Sequence, residues 1–167
     1  MNAMTAMTAM SADSTDVVAA LQAALRAEYA AVYAYGVAGA HLSGHQQDVA
    51  MRAWNAHRAR RDQLIAMLAS RGAQPSAAAD AYKLPFPVTS ARTAAMLAAT
   101  IEDGVTRAYL ALVALPDAGL RAYGALAMQE SAVRAATWRG ASAPFPGLPA
   151  SALGRRADHA AGRKKPR

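Results

Sequence analysis

The feature that most constrains this chain is alanine set in long runs that few helix breakers interrupt: 47 of the 167 residues are Ala. Alanine is the best helix former because its side chain loses no rotamer freedom. Strands draw on β-branched and aromatic residues, and only 6% of this chain is aromatic. An all-α fold follows, and its helix ends can be read from the breakers. A first helix is expected from about residue 16 to Leu42, with Ser14, Thr15 or Asp16 as cap and Ser43-Gly44 as its stop. A second is expected from about His45 to Arg71, closed by Gly72. Residues 72–89 hold Pro75, Pro85 and Pro87 and read as a long crossing loop. A third helix is expected from Thr89 or Ser90 to just before Pro116, and a fourth from Asp117 to Gly140. Short breaks within each pair imply two antiparallel hairpins, so the expected fold is a four-helix bundle with one long crossover.

Residues 1–14 are expected to form a disordered leader carrying the Met1, Met4, Met7 and Met10 repeat, residues 15–140 the bundle, and residues 141–167 a proline-containing, basic, partly disordered tail. The length suits one domain with a sizeable core. The net charge of +7 is concentrated in that tail: six basic residues and one acid lie between Arg155 and Arg167, leaving the rest of the chain close to balance.

The helical period places ionisable residues among apolar ones. On the first helix Val17, Leu21, Ala24, Glu28, Val32, Tyr35 and Gly39 recur at steps of three and four, and at about 100° per residue they share one sector with Glu28 at its centre. The second helix aligns Ala50, Trp54, His57, Arg61, Leu64 and Leu68, which turns His57 and Arg61 inward. The third aligns Ala94, Leu97, Ile101, Val105, Ala108 and Leu112, with Glu102 at the edge of the stripe. The fourth aligns Tyr123, Leu126, Glu130, Val133 and Thr137. Glu28 precedes Tyr35 by seven residues, and Glu102 precedes Tyr109 by the same interval, which is two helical turns. Several carboxylates in an apolar interior need a metal, an arginine or a proton, because an unpaired buried charge costs several kcal/mol.

Several functions are excluded. There is no cysteine, hence no thiolate catalysis, zinc finger or iron–sulfur cluster. Neither a phosphate-binding glycine loop nor a nucleophile elbow occurs. No basic, apolar leader and no run of about 18 uncharged apolar residues is present, so a cytoplasmic location is expected. His41, His45 and His159 read as ordinary surface residues.

Four strings carry a resemblance: Ala27-Glu28-Tyr29-Ala30-Ala31-Val32-Tyr33-Ala34-Tyr35-Gly36, His57-Arg58-Ala59-Arg60-Arg61-Asp62, Glu102-Asp103-Gly104-Val105 and Ala132-Val133-Arg134-Ala135-Ala136-Thr137-Trp138-Arg139. Across residues 15–140 the chain resembles an uncharacterised, alanine-rich actinobacterial family with a ferritin-like domain, a domain of unknown function. In active di-iron bundles of that fold, two helices give a Glu each and two give a Glu-x-x-His pair. The resemblance implies that Glu28, His57, Glu102 and Glu130 match ligand positions, while Trp54 stands where a Glu belongs and Val133 where a His belongs. Arginines Arg60 and Arg61 can satisfy carboxylates without metal.

The expected site is therefore a buried polar network of Glu28, Tyr35, His57, Arg61, Glu102, Tyr109 and Glu130 in a degenerate metal site, with no cofactor. The alternative is a divalent metal, Fe, Mn or Zn, on Glu28, His57, Glu102 and Glu130, serving an oxidase or a metal store. The expected function is a non-enzymatic structural or interaction module, working as a homodimer. Weak, sequence-independent nucleic-acid binding through the basic tail is a further alternative.

Overall fold

The computed structural model describes residues 3–142 and Gly147, with side chains from Ser14 onward. Five helices follow in order: α1 (Ala3–Gly39), α2 (Gly44–Ala69), α3 (Ala91–Ala108), α4 (Leu110–Val113) and α5 (Ala118–Arg139). No strand occurs among the described residues. Tyr109, still in the right-handed helical region at φ −80° and ψ −9°, is the single residue between α3 and α4. The two together take the place of the expected third helix.

The breakers act where their chemistry allows. Ser90 caps α3 in a reciprocal box, accepting from the Thr93 amide while the Thr93 hydroxyl accepts from the Ser90 amide. Asp117 caps α5 by accepting from the Leu120 amide at 2.8 Å. Gly140 ends α5 at φ +73° and Gly72 follows α2 at φ +69°, left-handed conformations that cost a side-chain-bearing residue strain. After α2 the Gly72 amide donates to Ala69 O and the Ala73 amide to Leu68 O, the paired bonds of a Schellman turn.

The start of the first helix differs from expectation. Ala3–Thr15 is helical, so Ser14, Thr15 and Asp16 lie inside α1 instead of capping it. A run of Ala, Met and Thr without Gly or Pro has nothing to stop a helix. The basic residues from Arg155 onward lie outside the described residues.

The packing of the long helices fixes the topology. α1 pairs with α2, α3 with α5, and α1 with α3. One apolar cluster joins Leu21 and Leu25 of α1 to Leu64 and Leu68 of α2, Val105 of α3, Leu112 of α4 and Leu120 of α5. A second joins Tyr35 and Ala38 of α1 to Ala50 and Ala53 of α2, Leu97 of α3 and Trp138 of α5. The middle of α1 thus meets the end of α3, and the end of α1 meets the start of α3, so these helices run antiparallel. The loop over residues 70–90 must accordingly travel the length of the bundle. It leaves tied to α1 by Gln22, which donates to Gln74 O at 2.7 Å and accepts from the Ser76 amide at 2.9 Å. It arrives with Leu84, Phe86 and Val88 against the second cluster. Each buried Leu in these clusters contributes about 1.5–3 kcal/mol over exposure.

Candidate functional site

Between the two apolar clusters lies a layer of buried polar side chains: Glu28 of α1, His57 and Arg60 of α2, Glu102 and Thr106 of α3, and Ser131 of α5. Glu28, His57 and Glu102 are fully buried. His57 sits between the two carboxylates, with Nδ1 2.6 Å from Glu28 Oε2 and Nε2 3.1 Å from Glu102 Oε1. Tyr35 donates to Glu102 Oε1 at 2.7 Å, and Tyr109 donates to Glu28 Oε1 at 2.6 Å. Tyr35 of α1 thus reaches the glutamate of α3, and Tyr109, just past the end of α3, reaches the glutamate of α1, so the seven-residue Glu–Tyr spacing has a reciprocal role. Trp138 Nε1 donates to Tyr35 Oη at 2.9 Å, and the Tyr35 ring stacks on His57 with centroids 5.3 Å apart.

Arg134 of α5 completes the layer. Its Nε donates to Glu102 Oε1 at 2.6 Å and its Nη2 to Ser131 Oγ at 3.1 Å. Arg60 binds Glu130 at the margin, where the Glu130 side chain is 43% exposed. The second helix of each hairpin thus offers two inward polar residues three apart, His57 with Arg60 and Ser131 with Arg134.

Charge follows from the bonding. Carboxylates only accept hydrogen bonds, so a histidine with a carboxylate oxygen at each nitrogen satisfies both when it is the doubly protonated imidazolium. Burial by itself lowers the His57 pKa, but hydrogen bonds and charge from Glu102 and Glu28 outweigh it and raise the pKa above its ordinary value. Burial likewise pushes the Glu102 carboxyl up, and the bonds and charges of His57 and Arg134 more than reverse this, holding it below the usual range. Burial, reinforced by the neighbouring carboxylates, raises the pKa of Tyr35 and of Tyr109, which keeps both phenols neutral donors. His57 and Arg134 thus set two cationic groups against the carboxyl groups of Glu28 and Glu102.

These donors do not fit a metal centre. Both Glu28 oxygens and both His57 nitrogens already have partners, and the Arg134 guanidinium supplies a positive charge at Glu102 Oε1. Among the described residues no cluster of three or more His, Cys, Asp or Glu has a metal-holding arrangement. Three buried polar atoms lack a partner there: Glu102 Oε2, Arg60 Nη1 and Tyr123 Oη.

Several sequence expectations need correction. Arg61 is not in the layer: its guanidinium turns outward to the adjacent Asp62 at 2.7 Å, and Arg60 takes the inward place. The buried face of α2 runs Ala50, Ala53, His57, Arg60, Leu64 and Leu68. Trp54 instead stays in the α1–α2 seam, donating to Val32 O at 3.1 Å under the Arg58 guanidinium. Glu102, expected at the edge of its stripe, is at the centre. The face of α5 is turned by about one residue from expectation, because Leu120, Gly124, Ala127, Ser131 and Ala135 are buried while Leu126 and Val133 are 54% and 60% exposed. A Cβ on Gly124 would lie 3.0 Å from Leu112 Cβ, so small residues let α5 approach closely there. Trp54 and Val133 consequently lie away from the layer. Arg134, Ser131, Thr106 and Trp138 were missed as members, and the i,i+4 pairing of Glu130 with Arg134 is the sequence signal that could have found the arginine.

No helix among the described residues is long and apolar enough to cross a membrane. The crystal structure of a conserved hypothetical protein, rv2844, from Mycobacterium tuberculosis is similar at 37% identity and a TM-score of 0.73, covering 75% of this chain and 96% of that one. Among curated proteins, none matches. The profile of a domain of unknown function, DUF4439, matches residues 20–150, including every member of the polar layer. The chain belongs to this DUF4439 family.

Proposed function

We propose that this protein is a ferritin-like bundle with a degenerate di-metal site, acting as a non-enzymatic structural or interaction module without a metal cofactor. One observation supports the reading: at positions that the resemblance matches to metal ligands, His57 bridges Glu28 and Glu102, and Arg134 pairs with Glu102. The full-length crossover and the mid-height placement of Glu28, His57 and Glu102 support descent from a ferritin-like architecture. A bidentate or hydrogen-bonded arginine supplies the positive charge that a divalent ion otherwise gives, without a coordination position for oxygen or substrate.

The module works as a homodimer through the outward face of α5, where Leu126 and Val133 stand exposed two turns apart. Light scattering of the full chain tests this: a dimer that becomes monomeric in Leu126→Glu is expected, and a monomeric wild type contradicts it. Elemental analysis of protein purified from cells, before and after incubation with Fe(II), Mn(II) or Zn(II), tests the metal-free reading. Less than a tenth of an equivalent retained after desalting is expected. A stoichiometric ion that is lost in Glu28→Ala/His57→Ala overturns it in favour of a metal-binding protein.

A further inference from the structure

A cleft of about 470 Å³ opens between α3 and the end of α5; it meets the buried layer at Trp138 and is not used by the proposal above. Its apolar part is Met96, which is 48% exposed, with Ala99 and Trp138; its charged rim is Arg92, Asp103 and Arg139. The volume is in the range of small-molecule sites, and an apolar floor with few polar groups is their usual composition.

The rim charges are unequal in their commitments. Arg139 is paired with Asp103 at 2.5 Å. The exposed Arg92 side chain makes no hydrogen bond or ion pair among the described residues. It also stands in the first turn of α3, whose opening turn holds no acidic residue, and a cation there opposes the helix dipole. The Thr93 amide of that turn is taken by the Ser90 hydroxyl, and the side-chain group on the rim that can recognise an anion is the Arg92 guanidinium. The floor favours a flat π-system, because Trp138 offers an aromatic surface and Met96 a polarisable thioether. A carboxylate matches the guanidinium fork.

We propose that the α3–α5 cleft is a binding site for a small aromatic carboxylate, with its ring on Trp138 and Met96 and its carboxylate on Arg92. Occupancy is felt in the buried layer, because Trp138 Nε1 donates to Tyr35, which in turn donates to Glu102.

The probe is 2-naphthoate, with 2-naphthalenemethanol as its neutral counterpart. Titration of the full chain by calorimetry, and by Trp138 emission in a Trp54→Phe background, is expected to give saturable one-to-one binding. The alcohol is expected to bind at least tenfold more weakly, and Arg92→Glu and Met96→Glu each to weaken naphthoate at least tenfold. Both substitutions are on exposed side chains, and thermal unfolding verifies that the variants are folded. Absence of saturation by millimolar naphthoate, equal affinity for the alcohol, or indifference to both substitutions would overturn the proposal. So would a loss of dimer mass in Met96→Glu, which would make the cleft a subunit seam.

Discussion

Arg134→Met keeps the aliphatic stem of the side chain and removes its charge, leaving Glu102 buried with one cation fewer. The carboxylate of Glu102 has no exposure and would retain donors from Tyr35 and His57 on Oε1 alone, while Oε2 already lacks a partner. Removing one member of a buried pair costs about 3–5 kcal/mol, because the remaining charge stays desolvated. Arg134 is 18% exposed, so water can reach part of the vacated position, and the expected loss is about 3 kcal/mol at the low end of that range. With a urea m-value of about 1.5–2 kcal/mol/M, the unfolding midpoint at pH 7 falls by about 1.5–2 M. Glu102→Gln alone is expected to cost about 2 kcal/mol through its charged hydrogen bonds. The double variant removes both charges together and should recover about 1.5–2 kcal/mol relative to the sum of the two losses. A midpoint shift below about 0.5 M for Arg134→Met, or strict additivity in the cycle, would refute the claim that these charges depend on each other.

Further outcomes follow from the same geometry. The raised His57 pKa contributes stability that is complete below its unfolded value of 6.5 and is lost as pH rises from there through the folded pKa. The lowered Glu102 pKa contributes stability present above 4.5 and lost as pH falls from there through its folded pKa. Urea midpoints measured across pH should therefore crest between these legs, and His57→Gln should flatten the alkaline one; an unchanged alkaline slope in that variant would contradict the assignment. Tyr109→Phe removes the 2.6 Å donor from buried Glu28 and should cost about 1.5–3 kcal/mol in the same assay. Gly140→Ala, at φ +73° with no side-chain obstruction nearby, should cost about 1 kcal/mol from backbone strain alone, read as a few degrees in thermal unfolding.

The helices were legible because alanine supplies propensity and Ser90, Asp117, Gly72 and Gly140 mark ends through specific bonds or a left-handed backbone. Glu28, Tyr35, His57, Glu102 and Tyr109 were legible as a group, since each stands on or beside an apolar stripe. The rotation of α5 was not. In a helix rich in alanine, burial is set by which face can approach its neighbours, and Gly124, Ala127, Ser131 and Ala135 fit where Leu126 and Val133 would not. Hydrophobicity alone selects the larger residues and so the wrong face. On α2, Arg60 and Arg61 are chemically identical neighbours, and both choices satisfy steps of three and four; only the position of Glu130 on the facing helix decides between them. Capture of Glu102 by Arg134 joins residues 32 apart and depends on that same rotation of α5, which the local pattern does not encode.

The proposed reading rests on a protonated histidine held between the carboxyl groups of Glu28 and Glu102. Nitrogen-15 NMR of the His57 ring in the full-length, chelator-treated protein at pH 7 reads this directly, with His57→Gln assigning the signals. Two protonated ring nitrogens, persisting as the pH is raised above 7 while exposed histidines have lost their second proton, are the predicted result. A neutral imidazole at pH 7 with one bare ring nitrogen would contradict it.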